Sequence, residues 1–382
     1  MSQASSLSRR IAFTLITAVL VLGFLEILLQ AFYFINAGDF LFRRQLLPIF
    51  QVDPVRGYAL QANVEYRHAT NEFDYTIFTN AQGYRTSSER PVYEYQKAPD
   101  IYRVIVMGPS FAFGWGGNYE EIYPTLIGEA LQVPGKKVEV LNVGTPAQGS
   151  VAQSCWFEKE GCKFQPDLVL LTSYGSTVPA AGSGCPERGV RAEIVVDGML
   201  YGKQPSLVDE LRLFFKNFAL VFYGFYAYSA LTPDEEAAYV DAGKELYTEE
   251  ETGSADDTAL VESYLAFQRL VAETAGPSTE VAFLHIPMSF LVHPKDLKRW
   301  TGLIHLGERG AAGFRQDTVR QIQGIRAAGL EFIDTTPALS QSGEKGERMF
   351  HWLDIHLTRA GNLAVAEAVV PTLNSQIQAR PK

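Results

Sequence analysis

Tyr102-Arg-Val-Ile-Val-Met107-Gly108-Pro109-Ser110-Phe-Ala-Phe-Gly-Trp-Gly-Gly117 is the stretch on which the fold turns. Tyr102 to Met107 is a short apolar, β-branched run with no polar alternation, the pattern of a strand buried on both faces. Gly108 and Pro109 break it, Ser110 follows, and from Tyr119 to Leu131 the spacing of Ile122, Leu126, Ile127 and Ala130 is helical. Open α/β sheets place their chemistry at the carboxyl end of such a strand, where a helix begins. Ser110 is therefore either a nucleophile or a simple helix N-cap.

Working outward, the same rhythm continues. Val138 to Val143, Leu168 to Thr172, Val281 to Ile286 and Leu330 to Ile333 read as further buried strands. Helical spacing falls between or after them, over Ser150–Glu160, Ala259–Ala275, Phe314–Ala328 and Arg359–Thr372. Strand–helix alternation implies a parallel sheet with helices on both faces, so the fold class is α/β, a doubly wound, flavodoxin-like three-layer α/β/α arrangement. More than a hundred residues separate the third and fourth strands, where a βα unit needs about thirty, which marks an insertion at about 178–257. It opens with a Gly-, Pro- and Ser-rich run and continues with a hairpin from Ala192 to Tyr201 turning at Asp197-Gly198. A helix over Leu207–Leu231 and another capped by Thr232-Pro233-Asp234-Glu235 should follow. The first is crowded with Phe and Tyr, either a core face of the insertion or a lid or membrane-facing patch.

The other end of the chain gives it an address. Residues 11–35 are nearly uninterrupted apolar residues, enough at 1.5 Å per residue to cross a ~30 Å hydrocarbon core with some tilt. Arg9 and Arg10 precede them, so 1–10 is expected to be a cytoplasmic tail, 11–35 a transmembrane anchor, and everything past about Asn36 extracytoplasmic, which is periplasmic in a Gram-negative bacterium. A cleaved signal peptide is the competing reading; its apolar region is normally shorter and ends in a small-x-small site. Glu26 and Gln30 interrupt the span four residues apart, on one helical face, as contacts for a membrane protein partner or as tolerated polar groups. Residues 37–99 form an irregular lead-in, with a strand pattern around Phe73–Phe78 closing in the turn Asn80-Ala-Gln-Gly83. The α/β domain is expected over 100–376.

Net charge is −10 over 382 residues, with no basic stripe to neutralise phosphates, which excludes a nucleic-acid binder. Cys155, Cys162 and Cys185 allow one disulfide in an oxidising compartment, with the pairing open. None has CxxC spacing or a nearby His, so neither a metal site nor a cofactor is expected.

Near the C-terminus, Asp354-Ile-His356 lies between the loop after the fifth strand and a helix beginning at about Thr358, so it shares the strand-end rim with Ser110. A serine hydroxyl needs an imidazole to take its proton, and the imidazole needs a carboxylate to fix its tautomer. Asp354 and His356, two apart in an extended loop, can supply both. His285, His293, His305 and His351 read instead as structural or surface histidines.

These blocks together resemble the SGNH/GDSL hydrolases. Gly108-Pro109-Ser110-Phe-Ala-Phe-Gly114 is similar to their first block, Asn142-Val-Gly144-Thr-Pro-Ala147-Gln-Gly149 to the second, Pro166-Asp167-Leu-Val-Leu-Leu to the opening of the third, and Asp354-Ile-His356 with Gly361 and Ala366 to the last. Asn80-x-x-Gly83-x-Arg85 also resembles membrane-anchored members. The likeness covers roughly residues 76–370 without the insertion, and its order and spacing carry it.

The resemblance implies a serine esterase or O-acyltransferase acting on ester groups, acetyl groups of a glycan or envelope polysaccharide among them. Ser110 would be the nucleophile, His356 the base and Asp354 its orienter, with Ser110, Ala147 and Ser176 around the oxyanion. Pro109 replaces the usual Asp, Ala147 a glycine, and Ser176 the third-block asparagine. Loss of one oxyanion donor typically costs ~2.7–4 kcal/mol of transition-state stabilisation. The alternative is an SGNH-like scaffold without catalysis that binds a glycan or a membrane partner.

Overall fold

A computed structural model describes residues 2–37, 40–41, 47–70, 72–175, 178–186, 190, 194–196, 199–201, 207–231, 257–296, 310–352 and 354–379. The chain divides into two compact units: Met1–Leu46, His68–Asp74 and Lys203–Asp234 form one, and Leu47–Arg67, Tyr75–Gly202 and Glu235–Lys382 the other.

The larger unit carries the sheet. After helix α1 (Ser2–Ala37) come β1 (Phe50–Asp53) and β2 (Gly57–Leu60), an antiparallel pair, then β3 (Glu65–Ala69), β4 (Asp74–Thr79) and β5 (Arg85–Thr86). Five strands follow the apolar runs: β6 (Ile101–Met107), β7 (Lys137–Asn142), β8 (Leu168–Gly175), β11 (Glu280–Pro287) and β12 (Glu331–Asp334), with the hairpin strands β9 (Ile194–Val196) and β10 (Met199–Tyr201) inside the insertion. The eight-stranded sheet has the order β12-β11-β8-β6-β7-β5-β4-β3, and its first five members are parallel. The chain leaves β6 for β7 on one side and then crosses to β8 on the other. The switch point therefore lies at the carboxyl end of β6.

Alternation along each strand divides the core into two layers. Val104, Val106, Leu168, Leu170 and Leu284 pack on the helices α3 (Tyr123–Ala130) and α10 (Arg359–Ala379), beyond the short helix α2 (Ser110–Phe113). Ile105, Met107, Val169, Leu171 and Phe283 face α4 (Ser150–Lys159), α7 (Asp257–Ala275) and α8 (Gly310–Ala327). Strands buried on both faces cannot alternate with polar residues, which is why they read as apolar runs. The fold is a doubly wound three-layer α/β/α sandwich, as the spacing implies.

The structure adds to or departs from expectation at four places. The lead-in joins the sheet: β5 pairs antiparallel with β7 through Arg85 and Asn142, so β3 to β5 extend the main sheet. A helix where the sequence reading assigns no element, α9 (Thr336–Glu344), lies between β12 and the loop that leads to Asp354. The last helix continues through Pro371 to Ala379, because Leu373 and Ile377 still pack on the core. Finally, the single helix expected over 207–231 is two, α5 (Leu207–Lys216) and α6 (Ala219–Leu231), broken at Asn217-Phe218. The hairpin turn at Asp197-Gly198 and the cap at Thr232–Glu235 lie outside the described residues.

The break belongs to the smaller unit. Arg9–Ile35 within α1 is long and apolar enough to cross a membrane. Over that run only Glu26, Leu29, Gln30 and Tyr33 are withdrawn from the surface, a stripe at i, i+3, i+4 and i+7. Glu26 accepts hydrogen bonds from the backbone N–H groups of Ala219 at 2.7 Å and Leu220 at 2.9 Å. Its carboxylate thus caps α6 from another helix, satisfying donors that a helix N-terminus leaves open. Gln30 donates to Glu26 and to the Asn217 carbonyl and accepts from the Leu41 N–H. Both groups that the sequence offers to a membrane partner are engaged by the chain itself.

One disulfide joins Cys155 in α4 to Cys185 at the entrance of the insertion, and Cys162 is free.

Candidate active site

Strand β6 delivers Ser110 to the sheet rim, and Pro109 in an extended conformation sets the entry into α2. Three hydrogen bonds order this turn and the loop beside it. Asn142, at the end of β7, donates its amide to the Ala112 carbonyl at 2.8 Å and accepts from Gly144 N–H at 3.0 Å. Thr145 N–H donates to the Gly108 carbonyl at 3.0 Å, so the β7 loop lies along the Ser110 turn. The approach is close enough that a Cβ at Gly144 would stand 2.3 Å from Phe113 N; only glycine fits there.

From the far side, Arg85 is fully buried and donates to the carbonyls of Thr76 at 3.0 Å and Gly117 at 3.1 Å, its guanidinium over the Phe113 ring. Burial pushes it down to about 10, and it remains charged at neutral pH.

The loop carrying Asp354 and His356 is closed at its base, where Phe350 pairs antiparallel with Leu357. Thr358 then ends the loop, its hydroxyl accepting from Gly361 N–H at the start of α10. A Cβ at Gly361 would meet the Met349 carbonyl at 2.1 Å, so here too glycine permits the close approach.

The three residues named from sequence meet. His356 Nε2 lies 2.6 Å from Ser110 Oγ, and its Nδ1 is hydrogen-bonded to Asp354, which also accepts the His356 backbone N–H at 2.9 Å. The Asp354 carboxyl is held down at about 2: burial works to raise it, but the charge of a protonated His356 and the N–H bonds from that residue outweigh burial. His356 is buried between Phe111 and Trp115, whose rings lie 4.8 Å and 5.3 Å from it, and Tyr174 stacks on Phe111 at 4.1 Å. The imidazole is fixed in orientation, with one nitrogen on the hydroxyl and the other on a carboxylate.

The oxyanion candidates divide. Ser110 is the first residue of α2, where an N–H has no partner within the helix. Ala147 sits in a left-handed conformation at φ 59°, a backbone that favours glycine. Ser176 lies outside the described residues.

Sequence reasoning missed Tyr58. It is buried in β2, donates its hydroxyl to the Pro146 carbonyl at 2.9 Å, and its backbone carbonyl accepts from the Gln148 side-chain amide at 2.9 Å. It therefore clamps the turn on both sides of Ala147. No spacing rule links position 58 to position 147.

The remaining histidines have other surroundings, although His351 donates its backbone N–H to the His356 carbonyl at 2.9 Å. His285 is buried in β11 with Nδ1 3.2 Å from Ser173 Oγ, His293 accepts from Met349 N–H at 3.1 Å, and burial pushes His351 down. His305 lies outside the described residues. Among the described residues, no cluster of His, Cys, Asp and Glu could hold a metal.

No family model matches the sequence, and no curated protein matches it. Solved structures do resemble it at low identity. A carbohydrate acetylesterase family member from Sinorhizobium meliloti aligns with TM-score 0.38 and 11% identity over 72% of this chain and 99% of its own. Axe2, an acetylxylan esterase from Geobacillus stearothermophilus, aligns with TM-score 0.36 and 15% identity over 71% and 93%. The aryl esterase of M. Smegmatis gives TM-score 0.37 and 11% identity over 72% and 99%. Similarity at this level assigns neither activity nor substrate.

Proposed function

We propose that this chain is an SGNH-like serine esterase or O-acyltransferase, held at a membrane by α1 and acting outside the cytoplasm on acyl esters, acetyl groups of a glycan in particular. The observation that carries the reading is the Ser110–His356–Asp354 line of hydrogen bonds. In the mechanism it supports, His356 Nε2 takes the Ser110 proton as Oγ bonds to the acyl carbon. The carbonyl π pair moves onto oxygen, and the N–H groups of Ser110 and Ala147 hold the resulting oxyanion. Collapse re-forms the carbonyl and breaks the bond to the alcohol, which leaves with the proton from His356. Water or a sugar hydroxyl then gives its proton to His356 as it attacks the acyl-serine, and collapse of that adduct breaks the acyl–Oγ bond while His356 returns the proton to Ser110. Asp354 stays ionised and keeps the imidazole Nδ1–H toward itself, so that Nε2 can accept.

Two features support the address. Cleavage after the apolar run would strip Ala219 and Leu220 of their Glu26 acceptor, which favours a retained anchor over a signal peptide. The Cys155–Cys185 bridge suits an oxidising compartment.

The test uses the full chain in detergent. A fluorophosphonate should label the protein at Ser110, a chromogenic acetyl ester should be hydrolysed, and Ser110→Ala should lose both. Equal ester turnover by the two proteins, with no labelling, would leave the non-catalytic scaffold as the better reading.

A further inference from the structure

The smaller unit contains an apolar surface that catalysis does not use. In α5, Leu207, Val208, Leu211, Phe214 and Phe215 are each 47–71% exposed. They stand at i, i+1, i+4, i+7 and i+8, which is one face of a helix. Positions 209, 212 and 216 of the opposite arc carry charge in the sequence. This is the pattern of a helix lying in the plane of a bilayer interface.

The joint with α1 gives that face a depth. Arg9–Ile35 is 27 residues long, about 40 Å of helix against a hydrocarbon core of ~30 Å. If Arg9 and Arg10 mark one boundary, the opposite boundary falls near Leu29 and Gln30. At that level the chain supplies its polar joint: Gln30 bonds the Asn217 carbonyl just past the end of α5, and Glu26 caps the start of α6. Tyr33 meets Phe222 and Phe32 meets Tyr223, ring centroids 5.8 Å and 5.7 Å apart, so α6 runs from the joint toward the C-terminal end of α1. The polar contacts thus sit where a ~30 Å hydrocarbon core counted from Arg10 ends, and α5 ends beside them.

We propose that α5 is an in-plane membrane helix whose Leu207–Phe215 stripe seats at the acyl–headgroup boundary of the same bilayer that α1 crosses, at a depth set by the Glu26–Gln30 joint. The occupant of the apolar face is lipid. The proposal rests on the reading of α1 as a retained membrane anchor.

The test places one nitroxide at a time on the full chain, one copy per lipid nanodisc, in a Cys162→Ser background. Labels go at Leu211→Cys, Phe214→Cys and Phe215→Cys, with Leu22→Cys in the span and Glu89→Cys on the exposed surface as references. Collision with oxygen is compared with collision with a water-soluble nickel complex. The three α5 labels should favour oxygen as Leu22→Cys does, and a scan of positions 207–215 should oscillate with helical period. Nickel access at α5 equal to that at Glu89→Cys, while Leu22→Cys stays oxygen-rich, overturns the proposal and leaves the anchor intact. Nickel access at Leu22→Cys itself overturns the anchor and the proposal together. Labels immobile and shielded from both reagents point to protein cover and also overturn it.

Discussion

His356 Nε2 lies 2.6 Å from Ser110 Oγ across a sequence separation of 246 residues, with Asp354 bonded to the opposite ring nitrogen. His356→Ala removes the proton acceptor and should lower kcat/KM by on the order of 10²–10⁴. Asp354→Asn should fall within a similar range, because an amide facing Nδ1 favours the tautomer that places a proton on Nε2. Asp354 is held at about 2, so its own protonation should not shape the pH–rate profile above about pH 4. Steady-state rates on an acetyl ester from pH 4 to 9 check both statements.

Tyr58→Phe deletes only the hydroxyl that donates to Pro146. The expected result is a stability loss of about 1 kcal/mol and a larger fractional fall in kcat than rise in KM, since the turn it clamps carries the Ala147 N–H proposed to hold the oxyanion. A kcat equal to wild type would remove Tyr58 from a positioning role.

Ala147 at φ 59° carries left-handed strain of about 1–2 kcal/mol, partly offset by the lower chain entropy of alanine in the unfolded state. Ala147→Gly should therefore raise stability by about 0.5–1 kcal/mol in urea unfolding, whereas Ala147→Val should lower it. Unchanged midpoints for both variants would show that the loop adjusts.

Arg85→Lys should destabilise by about 2–4 kcal/mol, because one ammonium cannot reproduce the fork that spans the Thr76 and Gly117 carbonyls. Denaturant unfolding checks the size. A neutral result would mean that water takes over both carbonyls.

His285 is fully buried, and burial pushes its imidazole down to about 4, against the pull of Asp334. The folded protein holds it neutral while the unfolded chain protonates it below about pH 6.5, so the unfolded state gains protons as pH falls. Its stabilising contribution is complete above that value and is lost toward about pH 4, by up to about 1.4 kcal/mol per pH unit. His285→Gln should flatten that part of the stability profile, as thermal melts across this range would read.

The five parallel strands were legible because burial on both faces leaves apolar runs such as Ile105–Met107 and Leu168–Leu171. The meeting of Ser110 with Asp354 and His356 was legible for a related reason: each follows the carboxyl end of a parallel strand, so topology alone puts them on one rim. What escaped depends on single distant partners. The break at Asn217 answers to Glu26 and Gln30 nearly two hundred residues earlier. The β5 strand is only two residues long, too short for any alternation to register. Tyr58 looks like any aromatic residue in a short strand.

Tyr58 and Arg85 both come from the stretch between the apolar helix and β6, and each braces one side of the site. That stretch is thus not a tether that evolution could lengthen, trim or exchange freely. A chain cut at Ile101 would retain Ser110, Asp354 and His356 and lose the frame that aligns them, whereas a cut just before β1 keeps both braces but strips the start of α6 of its Glu26 acceptor.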